Sequence, residues 1–174
     1  IERITLDLLD LSRVDREEEG ELVPGQGLMS AVRLLSARLP DDITVETEVD
    51  LETRVSGRPG DLNHVFLNLI DNAARAVGAR GRIFVSGTAE TGRYVITVED
   101  SGPGFDEDIV DRALEPFVTS RVSGEGTGLG LSVADDVMRA HGGSVVLGTS
   151  ERLGGACVTL NFPLQLETSL EVSA

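Results

Sequence analysis

Lysine is missing from this chain: all 15 basic residues are arginine. Wherever an anion would usually meet lysine, the chain must use a guanidinium, a planar fork rather than a point charge. Positive charge is scarce altogether. Thirty acidic residues leave a formal charge of −15, which speaks against a nucleic-acid or anionic-membrane surface, since either needs a basic patch to neutralise phosphates. The single cysteine, Cys157, can form neither an internal disulfide nor a metal knuckle, and the alternating run Ala156 to Phe162 around it reads as core. The two histidines, His64 and His141, stand far apart, so a structural zinc is not expected. No apolar run approaches the roughly 20 residues that span a bilayer, and no signal peptide is visible. A cytoplasmic location is expected. The first residue is Ile1 rather than Met, which suggests a piece of a longer parent and leaves membrane anchorage of that parent open.

What is present is ample for one domain. A chain of 174 residues with 40% apolar content can bury a sizeable core, with room for an appendage. Residues Ile1 to Val14 carry Ile1, Ile4, Leu8 and Leu11 at heptad spacing, a single helical seam that needs a partner or its own domain to cover it. The acidic run Glu17 to Glu21 interrupts that seam and reads as a solvated hinge, so the expected division is 1–16, 17–166 and a loose polar tail over 167–174.

Periodicity predicts helices over Pro24 to Leu39, Asp61 to Val77, Asp106 to Leu114 and Thr127 to His141. Strands are expected over Ile43 to Val49 and Thr53 to Ser56. Arg82 to Gly87 and Arg93 to Glu99 should pair across a turn at Thr91 and Gly92, and Ser144 to Gly148 should form a closing hairpin with Ala156 to Phe162. The clearest helix is Asp61 to Val77, whose stripe of Leu62, Val65, Phe66, Leu69, Ile70, Ala73 and Val77 holds an i, i+3, i+4 pattern over four turns.

On the opposite side of that helix stand His64, Asn68, Asn72 and Arg75, spaced by four, four and three residues. Asparagine competes with the backbone for hydrogen bonds, so two of them one turn apart weaken a helix without a compensating partner. A hard cation, which suits amide oxygens, together with phosphates for Arg75, would supply one; so would a neighbouring loop. Asp100 to Phe105 follows at a strand end. A carboxylate there can accept from an exocyclic amine while Gly102 and Gly104 let the backbone pass a flat ring, although DSGPG also serves as an ordinary turn. The run Glu115 to Leu131 then joins Phe117, the hydroxyls Thr119 and Ser120, Arg121, and glycines Gly124, Gly126, Gly128 and Gly130, with Thr127 and Leu129 between the last three. Glycines admit close approach of backbone N–H groups to an anion, and a helix opening near Thr127 aims its positive end there. A flexible loop ending in a glycine-rich cap has the same composition. No GK[ST] follows and no strand leads directly in, so this is neither a P-loop nor a Rossmann fingerprint.

NLIDNA in a helix, DSGPG after a strand, PF before a loop and GTGLGL at a helix start, in this order, resemble the ATP-binding domain of sensor histidine kinases, within the wider GHKL family. The resemblance covers about Glu21 to Gln165. It implies an α/β fold, a two-layer sandwich of the Bergerat type with a mixed, mostly antiparallel sheet and helices on one face. It implies ATP or ADP with Mg2+ as ligands, Asn72 as the magnesium ligand with Asn68 in support, and Arg75 on the phosphates. Asp100 would read adenine, Gly102 and Gly104 would shape the ring slot, and Phe117 would be the phenylalanine of the F box. Gly126, Gly128 and Gly130 would form the second glycine box. The short lid resembles that of nitrogen-regulation-like kinases, with Arg121 where lysine is usual. Residues 1–16 look like the end of a dimerisation and phosphoacceptor hairpin whose histidine lies outside this chain. The implied partners are that dimerisation domain, a response regulator receiver domain reached through it, and a second copy in a homodimer; nucleic acid is not among them. Gyrase-like or chaperone-like ATPases share the fold but place a glutamate where Asn68 stands, and an amide cannot activate water. A nucleotide-sensing module without catalysis is the non-enzyme alternative.

Overall fold

The structure, a computed structural model, describes residues 19–108, 110–118 and 128–164. The expected helix 1–14, the lid positions Thr119, Ser120, Arg121, Gly124, Gly126 and Thr127, and the tail 167–174 lie outside those residues.

In chain order the elements are β1 (Gly20–Leu22), α1 (Pro24–Ser36), β2 (Ile43–Val49), β3 (Val55–Gly57), α2 (Pro59–Val77), β4 (Gly81–Glu90), β5 (Arg93–Asp100), α3 (Gly130–Ala140), β6 (Ser144–Thr149) and β7 (Ala156–Pro163). Five strands form one sheet in the order β2-β4-β5-β7-β6, while β1 and β3 pair in a small ribbon of their own. β2 and β4 run parallel because α2 lies between them in sequence and carries the chain back to the starting edge; the other neighbours are antiparallel.

α2 is the middle of the helical layer. Pro59 opens it, where a missing N–H costs nothing and φ is already set, and Gly78 at φ 70° ends it. Its stripe Leu62, Val65, Phe66, Leu69, Ile70 and Ala73 is buried as expected, with Val77 half-buried at the end. Leu28, Ala31 and Val32 of α1 and Ala134, Val137 and Met138 of α3 join the same core, with Ile83, Val85, Ile96, Val98, Leu160 and Phe162 of the sheet beneath. Tyr94 is wholly buried among them and donates its hydroxyl to the Asp50 carbonyl at 2.7 Å. Burial, with Asp50 nearby, holds that phenol well above its ordinary range, so it stays a donor. The far face of the sheet is polar. Ser86 and Thr97 share a hydrogen bond of 2.5 Å there, and Phe84 is covered by the Arg152 guanidinium at 3.6 Å from the ring centre.

Four expectations need correction. α1 ends at Ser36 rather than Leu39, since Pro40 disfavours helix in the residue before it and the last amides tighten onto Leu35 and Ser36. Asp106 to Leu114 is not a helix: a 3-10 turn over Val110–Arg112 is all that is helical among the described residues, and Ala113 alone there is buried, too little to pay for a packed helix. α3 starts at Gly130 rather than near Thr127, because Gly128 sits at φ 68°, outside helical space. The end of the acidic run is strand rather than hinge: Glu21 pairs with Arg54 at 2.5 Å and Glu19 accepts from the Ser56 hydroxyl at 3.0 Å. Exposed pairs of this kind add little stability, but they tie the segment to β3.

Candidate functional site

Three pieces of backbone converge on the polar side of α2. The first is α2 itself, which presents Asn72 to solvent and half-buries Asn68, Arg75 and His64. Arg75 is paired along the helix with Asp71 at 3.0 Å, four residues back. The second is the start of α3. A Cβ at Gly130 would lie 3.3 Å from Asn72 Nδ2 and 3.9 Å from Asn68 Cγ, so the helix start rests directly on both asparagines. Leu129 occupies the N-cap and has no side-chain oxygen to offer the first-turn amides, whose positive end therefore faces the same spot.

The third piece is the end of β5. Asp100 is 4% exposed, on the same side of the strand as buried Tyr94, Ile96 and Val98, as the alternation predicts. Its Oδ1 accepts from Gly102 N at 2.8 Å and from Ala156 N at 3.2 Å. Burial pushes its carboxyl above the ordinary aspartate range against the pull of those two N–H groups. Gly102 is a steric requirement: a Cβ there would lie 2.8 Å from the Ala76 carbonyl oxygen, one turn beyond Asn72 on α2. Gly104, at φ 81°, turns the chain away.

Phe117 and Gly128 close the base of the 118–127 segment. Phe117 N donates to the Gly128 carbonyl at 3.0 Å, and a Cβ at Gly128 would lie 2.6 Å from the Phe117 carbonyl carbon. Phe117 itself holds φ 66°, unusual for an aromatic residue, and is 75% exposed. Of the residues named from sequence, Asn68, Asn72 and Arg75 thus stand on α2, Asp100, Gly102 and Gly104 at and after the end of β5, and Phe117, Gly128, Leu129 and Gly130 before and at the start of α3. Thr119, Ser120, Arg121, Gly126 and Thr127 fall outside the described residues.

Three contributors escaped sequence reasoning. Gly155 and Ala156 lie against Asp100, and the only local hint is a Gly-Gly pair before a strand. His141 does more than cap α3: its Nδ1 donates to the Val137 carbonyl at 2.7 Å and its Nε2 accepts from Arg58 N at 3.0 Å, which ties the far end of α3 to the start of α2. Both ring nitrogens are spent. Among the described residues no three His, Cys, Asp or Glu side chains could together hold a metal ion. An exposed carboxamide at Asn72 fits a hard cation that takes oxygen donors and keeps several waters.

Comparison with known proteins agrees with this arrangement. Residues 57–166 match the family described as histidine kinase-, DNA gyrase B-, and HSP90-like ATPase. The sensor protein ChvG of Rhizobium meliloti is 30% identical over 184 residues, covering 94% of this chain and 32% of that protein. The sensor histidine kinase ZraS of Salmonella typhimurium is 37% identical over 112 residues, covering 64% of this chain and 23% of that protein. The catalytic domain of histidine kinase ThkA, nucleotide free, superposes with a TM-score of 0.75 at 25% identity, over 84% of this chain and 97% of that one. Full-length ShkA in complex with AMPPNP gives a TM-score of 0.73 at 25% identity, over 90% of this chain and 34% of that one. The chain spans about a third of the length of the two ChvG proteins, 32% and 31%, and 23% of ZraS. With a buried carboxylate, paired asparagines and a glycine-started helix around α2, and with that match, the chain belongs to the histidine kinase-, DNA gyrase B- and HSP90-like ATPase family, as an ATP-binding catalytic domain of the sensor histidine kinase type.

Proposed function

We propose that this domain binds ATP or ADP with Mg2+ and supplies the γ-phosphoryl group to a histidine on a dimerisation domain outside the 174 residues, in a homodimeric parent that passes it to a response regulator. The observation that carries this reading is the meeting of Gly130 with Asn68 and Asn72 beside the buried Asp100. Asp100 accepts a hydrogen bond from the exocyclic amine of adenine. Gly102 and Gly104 leave space for the ring. Asn72 ligates the cation with Asn68 in support, and Arg75, with Arg121, Thr119, Ser120, Gly126 and Thr127 of the lid, holds the phosphates against the N-terminus of α3. Bound Mg2+ would neutralise charge on the β- and γ-phosphates. The protein's part is positioning: phosphoryl transfer asks for in-line geometry more than for covalent chemistry.

Asn68 favours transfer to a side chain over hydrolysis, because no carboxylate base stands one turn before Asn72. His141 is a poor acceptor with both nitrogens engaged inside the fold. The test is to incubate the domain with labelled ATP alone and with a dimerisation domain carrying an acceptor histidine. Acid-labile label is expected on the second protein only. Label on this chain incubated alone would overturn the reading.

A further inference from the structure

We infer that Gly155 is a specificity-determining positioning residue: by seating the start of β7 against Asp100 it lets Ala156 N, together with Gly102 N, hold the carboxylate by one oxygen and leave the other for the base. This rests on reading Asp100 as the group that recognises the base.

The register of the sheet brings the two together. Glu99 pairs with Cys157 across β5 and β7, so Asp100 arrives opposite Ala156 at the very start of β7. There the loop surrounds it. Gly155 N donates to the Asp100 carbonyl at 3.1 Å, and Ala156 N donates to the carboxylate Oδ1 at 3.2 Å. Gly102 N takes the same Oδ1 at 2.8 Å. Among the described residues no group donates to Oδ2, yet no wholly buried side-chain oxygen there is left without a partner, so Oδ2 keeps some exposure. An oxygen that already accepts two N–H groups is poorly placed for a third, which makes Oδ2 the one that faces an amine.

Only glycine permits this grip. A Cβ at position 155 would lie 2.4 Å from Asp100 Oδ1, 2.4 Å from the Asp100 carbonyl oxygen and 2.7 Å from Gly102 N. The first two are backbone or a carboxylate already clamped, so the carboxylate must swing away and lose both donors. The loop is itself braced. Ser150, buried, donates its hydroxyl to Glu99 at 2.5 Å and accepts from Leu153 N at 2.8 Å, while its amide donates to the Gly155 carbonyl at 2.8 Å. Base preference is therefore set by a backbone position more than fifty residues along the chain from the carboxylate that expresses it, 56 in the case of Ala156.

The experiment measures affinity for Mg-ATP and Mg-GTP by competition titration in Gly155→Ala, Ala156→Pro, Asp100→Ala and Gly148→Ala, with amide NMR spectra of each. Gly148 lies on the same hairpin with nothing near its missing Cβ and serves as the control. Gly155→Ala should cut the ATP-over-GTP preference about tenfold while binding of the triphosphate persists. Ala156→Pro removes a single N–H at the first residue of a strand, where proline is tolerated, and should cut it less. In the unmutated chain the Gly102 and Ala156 amide protons should shift together as Asp100 titrates; in Gly155→Ala they should not. Loss of preference in Asp100→Ala with full preference kept in Gly155→Ala and Ala156→Pro would overturn this inference and leave the base reading intact. Preference kept in Asp100→Ala would sink both. If neither loop variant folds, absence of the joint amide titration in the unmutated chain overturns it.

Discussion

The two ends of this site are built from different material. At the base end, a carboxylate 4% exposed is held by backbone N–H groups from two separate loops, so little is left to arrange when a ligand arrives. At the phosphate end, the groups are side chains on the open side of α2, an exposed Asn72 and an Arg75 already paired with Asp71, facing a helix start. On the proposed reading the base end is preorganised and acts by geometry, whereas the phosphate end would be ordered by a cation and phosphates. That asymmetry would suit the proposed transfer, in which a nucleotide is held by its base while its terminal phosphoryl group leaves.

The comparison can be broken at the phosphate end first, where the effect should be largest. Asn72→Ala, or chelation of Mg2+ in the unmutated chain, should weaken ATP on the order of a hundredfold in calorimetry, and the two together should be little worse than either alone. Full additivity would mean that Asn72 does not act through the cation. At the base end, Asp100→Ala should weaken ATP by roughly ten- to a hundredfold and GTP far less, since guanine offers a carbonyl where adenine offers an amine and would face acceptor with acceptor. Competition titrations that show an unchanged preference would remove Asp100 from the base site.

Smaller effects sharpen the contrast. Gly128→Ala forces a side chain into φ 68° and against the Phe117 carbonyl carbon, and should cost about tenfold in ATP affinity with base preference unchanged. A change of preference there would show that the two ends are coupled. pH should act on base preference through Asp100. The Asp100 carboxyl is raised above the usual aspartate range, so it takes up its proton earlier as pH falls; the ATP preference should begin to fade above the pH at which ordinary aspartates protonate. For stability the sign follows from the same shift. A folded-state value above the unfolded one means Asp100 contributes stability when protonated, and that contribution is lost as pH rises through its folded value.

Much of this was legible in the chain. The stripe of α2, the asparagines spaced by one turn, the pairing of β4 with β5 and the inward register of Asp100 all follow from periods of 3.6 and 2, which a string of residues displays directly. Gly128, read from sequence as room for an anion, is also required by the close approach of Phe117, which no local pattern announces. The helix expected over Asp106 to Leu114 failed: among the described residues there only Ala113 is buried, too little apolar contact to hold a helix.

Sequence alone therefore determined the layers, the order of the site motifs and the side of each element that carries chemistry, because these are local repeats of side-chain type. Only the tertiary structure decided who holds Asp100 and what anchors α3. Those contacts, Ala156 N to Asp100 across 56 residues and Arg58 N to His141 across 83, use backbone N–H groups that every non-proline residue owns. No side chain marks them in advance; sheet register and helix packing choose which amide arrives.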